Sequence, residues 1–205
     1  MLKTTLAVDD DTCRQMMEYL DLLSHWNKSI NLTAIRNPEA MVEKHLLDSL
    51  AVLPFIQGGR VLDVGTGAGL PGIPLALADK KTQYTLLDSR GKKLRFLFDV
   101  KTRLKMNNIE LIENRVEHYK PEDGFDVVVS RAFSSLADFS ALAGHCLKDG
   151  GRMLAMKATT NEEELRAVKK PYIVAATHQL PVFGGTTHRQ LVEIHKNKEP
   201  EKVLP

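Results

Sequence analysis

Val61-Leu62-Asp63-Val64-Gly65-Thr66-Gly67-Ala68-Gly69-Leu70-Pro71-Gly72-Ile73-Pro74 decides the fold. Four strand-forming residues run into a glycine-rich loop, and Pro71 or Pro74 opens a helix. In a doubly wound sheet the loop after the first strand lies at the carboxyl edge, where ligands bind. Glycines there let a ligand come close to the backbone. Asp88, 19 positions after Gly69, ends a second strand, where an acidic side chain can accept both hydroxyls of a ribose.

Three ligands compete for this layout. A P-loop needs Gly-Lys-Ser/Thr, which is absent. A dinucleotide fingerprint is G-x-G-x-x-G, whereas Gly65, Gly67 and Gly69 give G-x-G-x-G with Asp63 two before the first glycine. That pattern fits a nucleoside cofactor without a pyrophosphate, namely S-adenosylmethionine, with Thr66, Gly67, Gly69 and Ser89 among its expected binding residues. A plain glycine turn in another α/β protein is the alternative. The adenine would lie after the third strand, at Arg115-Val116-Glu117. A backbone N–H beside Val116 could bond the ring, and Glu117 its amino group or a fixed water.

Working outward, strands are expected at Val61–Val64, Tyr84–Leu87, Ile109–Ile112, Phe125–Val129, Arg152–Met156, Tyr172–Thr177 and Leu191–His195. Helices are expected at Ile73–Ala78, Lys92–Lys105 and Ser135–Leu147, with another signalled by Thr160-x-x-Glu163. Alternating strands and helices imply parallel pairing and right-handed crossovers. The fold class is therefore α/β, a doubly wound, mostly parallel seven-stranded sheet of the class I S-adenosylmethionine-dependent methyltransferase type. The last two strands, joined through Gly184-Gly185, form an antiparallel edge pair.

Residues 1–59 read as a helical extension packed on a methyltransferase domain of residues 60–205. Thr12-x-x-Gln15 suggests a capping box, followed by Met16, Leu20, Leu23 and Trp26 at helical spacing. Trp26 reads as packing between this helix and the sheet. Asn37-Pro38 suggests an N-cap and first-turn proline, with Pro54 ending that second helix. His45 and Asp48, one turn apart, are placed to bond each other.

The 205 residues exceed the ~150 of a typical domain and can bury a core without a disulfide or metal staple. The 28 Lys and Arg nearly balance 26 Asp and Glu, so bulk charge does not announce a nucleic-acid binder. The net charge is −2 over residues 1–62 and +4 over the rest, from 22 basic and 18 acidic residues. A basic stretch from Ser89 to Lys105 holds Arg90, Lys92, Lys93, Arg95, Lys101, Arg103 and Lys105 against Asp99 alone. It suits a solvated helix face or phosphate binding at the rim of the site. Leu94, Leu97, Phe98 and Leu104 are expected to face the sheet. Cys13 and Cys146 form no C-x-x-C pair, so neither a disulfide framework nor a thiolate metal site is written. The acidic start does not suit a signal peptide, and no apolar run reaches the ~18 residues of a membrane span. A cytoplasmic location is expected.

The fourth strand runs into Ser130-Arg131-Ala132-Phe133. The Asn/Asp-Pro-Pro-aromatic turn that serves base-amino methylation is absent there. Neither cysteine is placed for attack on a pyrimidine carbon. Acceptors that are already nucleophilic remain, and guanine N7 is one, needing positioning rather than a base. Small-molecule amines and carboxylates stay open, as does a non-catalytic nucleotide-binding module.

Five motifs together resemble the glucose-inhibited division protein B family, bacterial small-subunit ribosomal RNA guanine-N7 methyltransferases. They are Trp26-Asn27-Lys28-x-x-Asn31-Leu32-Thr33, His45-x-x-Asp48-Ser49, Asp63 to Pro74, Leu87-Asp88-Ser89 and Ser130-Arg131-Ala132. The resemblance implies S-adenosylmethionine as donor, one guanine of 16S ribosomal RNA or of the small subunit as acceptor, and a monomeric cytoplasmic enzyme without metal or membrane attachment. It places Gly65, Leu70, Val116, Glu117 and Arg131 around the cofactor, with Asp88 at the ribose. Arg131 is the candidate catalytic group, by positioning, toward the cofactor carboxylate or the RNA. Lys157 and Arg189 join Arg90, Lys92, Lys93 and Arg95 as candidate RNA contacts. Ala68, Ala158 and Gln190 depart from the Pro, Gly and His common in the family.

Overall fold

The computed structural model describes residues 8–183 and 188–197. Strands β1 (Arg60–Val64), β2 (Gln83–Asp88), β3 (Ile109–Glu113), β4 (Phe125–Ser130), β5 (Leu147–Lys157), β6 (Tyr172–Gln179) and β7 (Gln190–Lys196) form one sheet. Their order is β3-β2-β1-β4-β5-β7-β6. The first five strands pair in parallel, and β7 runs antiparallel to both β5 and β6. The seven expected strands are all present, with the last two at one edge. The expected Gly184-Gly185 connection lies outside the described residues.

The sheet is covered on both sides, so its central strands are buried on both faces and read as continuous apolar runs. Val61, Leu86, Val129 and Leu154 face one core, shared with α1 (Asp10–Trp26), α4 (Gly72–Ala78) and α5 (Gly91–Arg103). Leu62, Val64, Val128 and Met153 face the other, packed by α6 (Leu136–Ala143). Between α1 and β1 come α2 (Pro38–Met41), a π-helical turn Val42–Leu47 and α3 (Asp48–Leu50). A short helix, α7 (Glu162–Arg166), follows β5.

Helix starts are the main local corrections. Asp9, not Thr12, caps α1, accepting the Thr12 N–H at 2.7 Å. This leaves Asp10 and Asp11 in the first turn, against the positive end of the helix dipole. Asn161 caps α7, because the Thr160 N–H and hydroxyl both bond the Gln190 side-chain oxygen, at 2.9 and 2.8 Å. Asn37 does cap α2, with Pro38 in the first turn. Pro54 ends nothing: α3 stops at Leu50, and Pro54 lies inside a separate 3-10 turn. The helix expected from Ser135 ends at Ala143, with Ser135 as its cap.

On α5 the expected inward Phe98 is 65% exposed, and Phe96 is buried instead. The buried stripe centres on Leu97 and Val100, and Phe98 lies off it. Trp26 packs against the core as expected, its ring 6.0 Å from Phe96 and its N–H donating to Asp99 at 2.9 Å. No helix among the described residues is long and apolar enough to cross a membrane.

Candidate active site

The glycine loop leaves β1 through Gly65, Gly67 and Gly69, with φ of 68°, 61° and 88°, a region costly for side-chain-bearing residues. Gly65 also has no room for a side chain: a Cβ there would lie 2.8 Å from that of Ala132. The loop is held from three directions. The Gly65 and Thr66 N–H groups donate to the Leu87 carbonyl at 2.8 and 3.0 Å. Beneath, Asp63 Oδ2 accepts the Thr66 hydroxyl at 2.6 Å and the Gly72 N–H at 2.9 Å. Burial pushes the Asp63 carboxyl up to about 6. From the α1 side, the fully buried Tyr19 hydroxyl donates to the Ala68 carbonyl at 2.7 Å.

Asp88 sits at the end of β2 with both oxygens engaged. Oδ2 accepts the Gly67 N–H at 2.9 Å, Oδ1 the Arg90 N–H at 3.0 Å, and Lys93 Nζ lies 3.4 Å away. Oδ1, with one partner, keeps a second lone pair for a ligand, while Oδ2 is shared between Gly67 and Lys93. Beside it opens a cavity of about 300 Å³ lined by Gly65, Asp88, Ser89, Val116, Glu117 and Phe133, among others. Val116 and Glu117 open a 3-10 turn, so their N–H groups have no acceptor within it. Apolar walls, a carboxylate at the strand end and N–H groups at the far end fit an adenosyl group. Thr66, Gly67, Gly69 and Leu70 do not line this cavity. Thr66 and Leu70 are buried beneath the loop, supporting it.

Arg131 does not line that cavity either; its neighbours Ala132 and Phe133 do. Its side chain enters a second cavity of about 310 Å³, which also holds Ile35, Lys44, Asp48, Met156, Lys157 and Arg189. Asp48 organises it. Oδ2 pairs with Arg131 Nη1 at 3.3 Å, Oδ1 accepts Arg189 Nε at 2.8 Å, and Arg131 also donates to the Lys44 carbonyl at 3.2 Å. The expected His45–Asp48 bond is therefore absent. His45 Nε2 meets the Thr33 hydroxyl at 2.9 Å and Nδ1 meets the Lys44 carbonyl at 3.1 Å. Burial and the Arg131 charge push the His45 pKa down to about 4. A carbonyl only accepts, so neutral His45 carries its proton on Nδ1 and takes the Thr33 hydroxyl at Nε2. Thr33 is itself placed by Asn27, whose side chain bonds the Leu32 and Thr33 N–H groups and the Thr33 carbonyl.

The six expected RNA contacts divide. Arg189 and Lys157 line the second cavity, Lys157 also bonding the Ser134 carbonyl at 2.7 Å and Glu164 at 2.8 Å. Arg90 and Lys93 line the first. Exposed Lys92 and Arg95 lie on α5 apart from both cavities. Cys146 is buried, its thiol pushed up to about 11, which suits packing rather than attack. No cluster of three metal-ligating side chains occurs among the described residues. Sequence reasoning missed Tyr19, Ile35, Lys44 and Met156 as parts of the site. It also missed Asp48 as the anchor of two arginines, although both members of one pair, Asp48 and Arg131, stand in the quoted motifs.

The sheet order and the loop geometry define a class I S-adenosylmethionine-dependent methyltransferase fold. Solved structures share it: TrmN from Thermus thermophilus (TM-score 0.59, 18% identity, 72% of this chain and 48% of that one). A methyltransferase from Thiobacillus denitrificans in complex with S-adenosyl-L-homocysteine is another (TM-score 0.52, 20% identity, 77% and 73%). Within that class the chain belongs to the GidB family, rRNA small subunit methyltransferase G, which it matches over residues 12–192. It is 47% identical over 192 residues to the ribosomal RNA small subunit methyltransferase G of Pseudomonas aeruginosa strain LESB58, covering 93% of this chain and 90% of that protein. The namesake from Saccharophagus degradans is 45% identical over 189 residues, 92% and 85%.

Proposed function

We propose that this enzyme transfers the methyl group of S-adenosylmethionine to N7 of one guanine in the 16S RNA of the small ribosomal subunit. The observation that carries the mechanism is that, among the described residues, the histidine and the carboxylate lining the second cavity are both engaged by other groups. Both nitrogens of His45 are committed, and Asp48 is committed to two arginines. A guanine N7 needs no base, because its lone pair attacks without losing a proton. S-adenosylmethionine supplies a methyl group on a positively charged sulfur.

The chain's own residues then do three things. Asp63, Tyr19 and Asp88 hold the glycine loop in place, so the ligand meets a preorganised backbone. Gly65, packed on Ala132, keeps the ends of β1 and β4 close, and Ala132 of the first cavity directly follows Arg131 of the second. Arg131, held by Lys44 and Asp48, is kept from donating to N7, which would occupy the attacking lone pair.

Residues 1–59 are proposed as a helical extension of a 60–205 core, a division supported by Ile35, Lys44 and Asp48 reaching the second cavity. One chain furnishes both cavities, which supports a monomer, and a ribosomal RNA substrate supports a cytoplasmic location. The test is transfer of labelled methyl to small subunits from a strain lacking this gene, with naked 16S RNA and large subunits alongside. Borohydride–aniline cleavage then reads N7-methylguanine. One cleavage site in 16S RNA is expected. Label without cleavage would move the acceptor to another atom, and no label with intact cofactor binding would move it off RNA.

A further inference from the structure

We propose that the second cavity is the acceptor-base pocket, and that Asp48 with its arginine pair reads the Watson–Crick edge of the guanine. This rests on the guanine-N7 reading above. The cavity, about 310 Å³, has room for one purine. Ile35 and Met156 supply apolar surface for a ring, while Lys44 brings a cation suited to a flanking phosphate.

The decisive group is Asp48. A buried carboxylate in a cavity otherwise lined by Lys44, Arg131, Lys157 and Arg189 would repel a phosphate, so phosphate binding alone does not explain it. Its two oxygens accept from Arg131 at 3.3 Å and Arg189 at 2.8 Å, and each retains a second lone pair. Guanine presents one acceptor, O6, followed by two donors, N1–H and the 2-amino group. An arginine–carboxylate pair presents the complement: a donor followed by two acceptors. Adenine, with an amino donor followed by the N1 acceptor, mismatches it.

The same arrangement suits the reaction. N7 lies on the opposite side of the ring from N1 and the 2-amino group, so a base held by its Watson–Crick edge leaves N7 unobstructed. As the N7 lone pair forms the new bond, the carbon–sulfur bond breaks and its electron pair stays on sulfur. The positive charge passes from sulfur to the purine. No proton leaves, but the N1–H becomes more acidic and its bond to Asp48 strengthens. That bond is then stronger in the transition state than in the ground state, and it raises kcat as well as selecting the base.

The test uses small subunits reconstituted with 16S RNA carrying either guanosine or inosine at the methylated position. Inosine differs only by lacking the 2-amino group. Wild-type enzyme is expected to show kcat/KM at least ~10-fold lower for inosine, the scale of one hydrogen bond to a charged group. Asp48→Asn, which offers one acceptor and one donor, is expected to lower transfer to guanosine subunits and to shrink that discrimination below about threefold. Equal use of both subunits by the wild type overturns the proposal. So does Asp48→Asn that lowers both rates while keeping the wild-type ratio, since Asp48 then only holds its arginines.

Should Asp48→Asn lose S-adenosylhomocysteine binding through misfolding, Ile35→Trp decides with the wild-type ratio. It fills the second cavity and is expected to abolish transfer while leaving the S-adenosylhomocysteine Kd unchanged. Wild-type transfer rates in that variant overturn the pocket assignment. No methylation of guanosine subunits by wild-type enzyme refutes the guanine-N7 reading itself, and the pocket assignment with it.

Discussion

Replacing Tyr19 by phenylalanine removes one oxygen from a fully buried position and leaves the ring in place, 6.3 Å from Phe96. What is lost is the 2.7 Å bond to the Ala68 carbonyl, itself inside the glycine loop and almost without solvent. A buried acceptor left without its donor costs about 1–3 kcal/mol, and the upper half of the range suits a site this dry. At ~2–4 °C per kcal/mol for a chain of this size, a 2 kcal/mol loss lowers Tm by about 4–8 °C. The loop between Gly67 and Gly69 also loses its hydrogen bond to α1, so the S-adenosylhomocysteine Kd is expected to rise about 3–10-fold, part of that same energy. Calorimetry reads the Kd and thermal unfolding the Tm. Asp9→Ala is the control, because it removes the cap of the same helix at its N-terminal end, away from the loop. It should lower Tm and leave the Kd alone. A Tyr19→Phe protein with lowered Tm and unchanged Kd would refute the reasoning, since the loop would then hold itself.

Arg131→Ala should keep the fold, because Asp48 retains Arg189, yet lose at least ~100-fold in turnover; an unchanged rate removes Arg131 from the site. Asp88→Ala should weaken S-adenosylmethionine binding by about 1.5–3 kcal/mol, roughly 10–150-fold by calorimetry, and an unchanged Kd refutes the ribose role. His45, held near 4 against an ordinary 6.5, should show no protonation in NMR titrations above about pH 5. Its folded pKa is depressed, so the stability gained by keeping it neutral is present above pH 6.5 and is lost as pH falls from there toward 4. A titration midpoint near 6.5 contradicts this.

Local regularities were legible in the sequence. The period of the strands, the Gly65-x-Gly67-x-Gly69 loop and the Asn37-Pro38 cap each depend on neighbours a few residues away. Where two local signals compete, the reading slips: Asp9 outranks Thr12 as a cap, and Thr160 is drawn away by Gln190 across 30 residues. The second cavity was the least legible part. Its central contacts join Asp48 to Arg131 and Arg189, 83 and 141 residues apart, and only the folded topology brings them together. Spacing alone favoured His45 as the partner of Asp48. The π-helical turn carrying His45 and the Asn27-ordered loop before it direct that ring to Thr33 instead. The division of the basic residues was illegible for the same reason, since side chains a turn apart on α5 meet different surroundings.

The position of β7 bears on when the enzyme becomes competent during its own synthesis. β6 is made first but lies on the rim, and β7 inserts between it and β5. Until β7 has emerged from the ribosome, β5 lacks a neighbour on that side and β6 has nothing to pair with. Arg189, one residue before β7, reaches Asp48 only at that moment. Chains fold from the N-terminus as they are made. The glycine loop and its cofactor cavity, built from residues up to Leu142, can therefore assemble while translation continues, whereas the second cavity closes only after β7 arrives. A growing chain still tethered to a ribosome can thus complete the first cavity well before it completes the second.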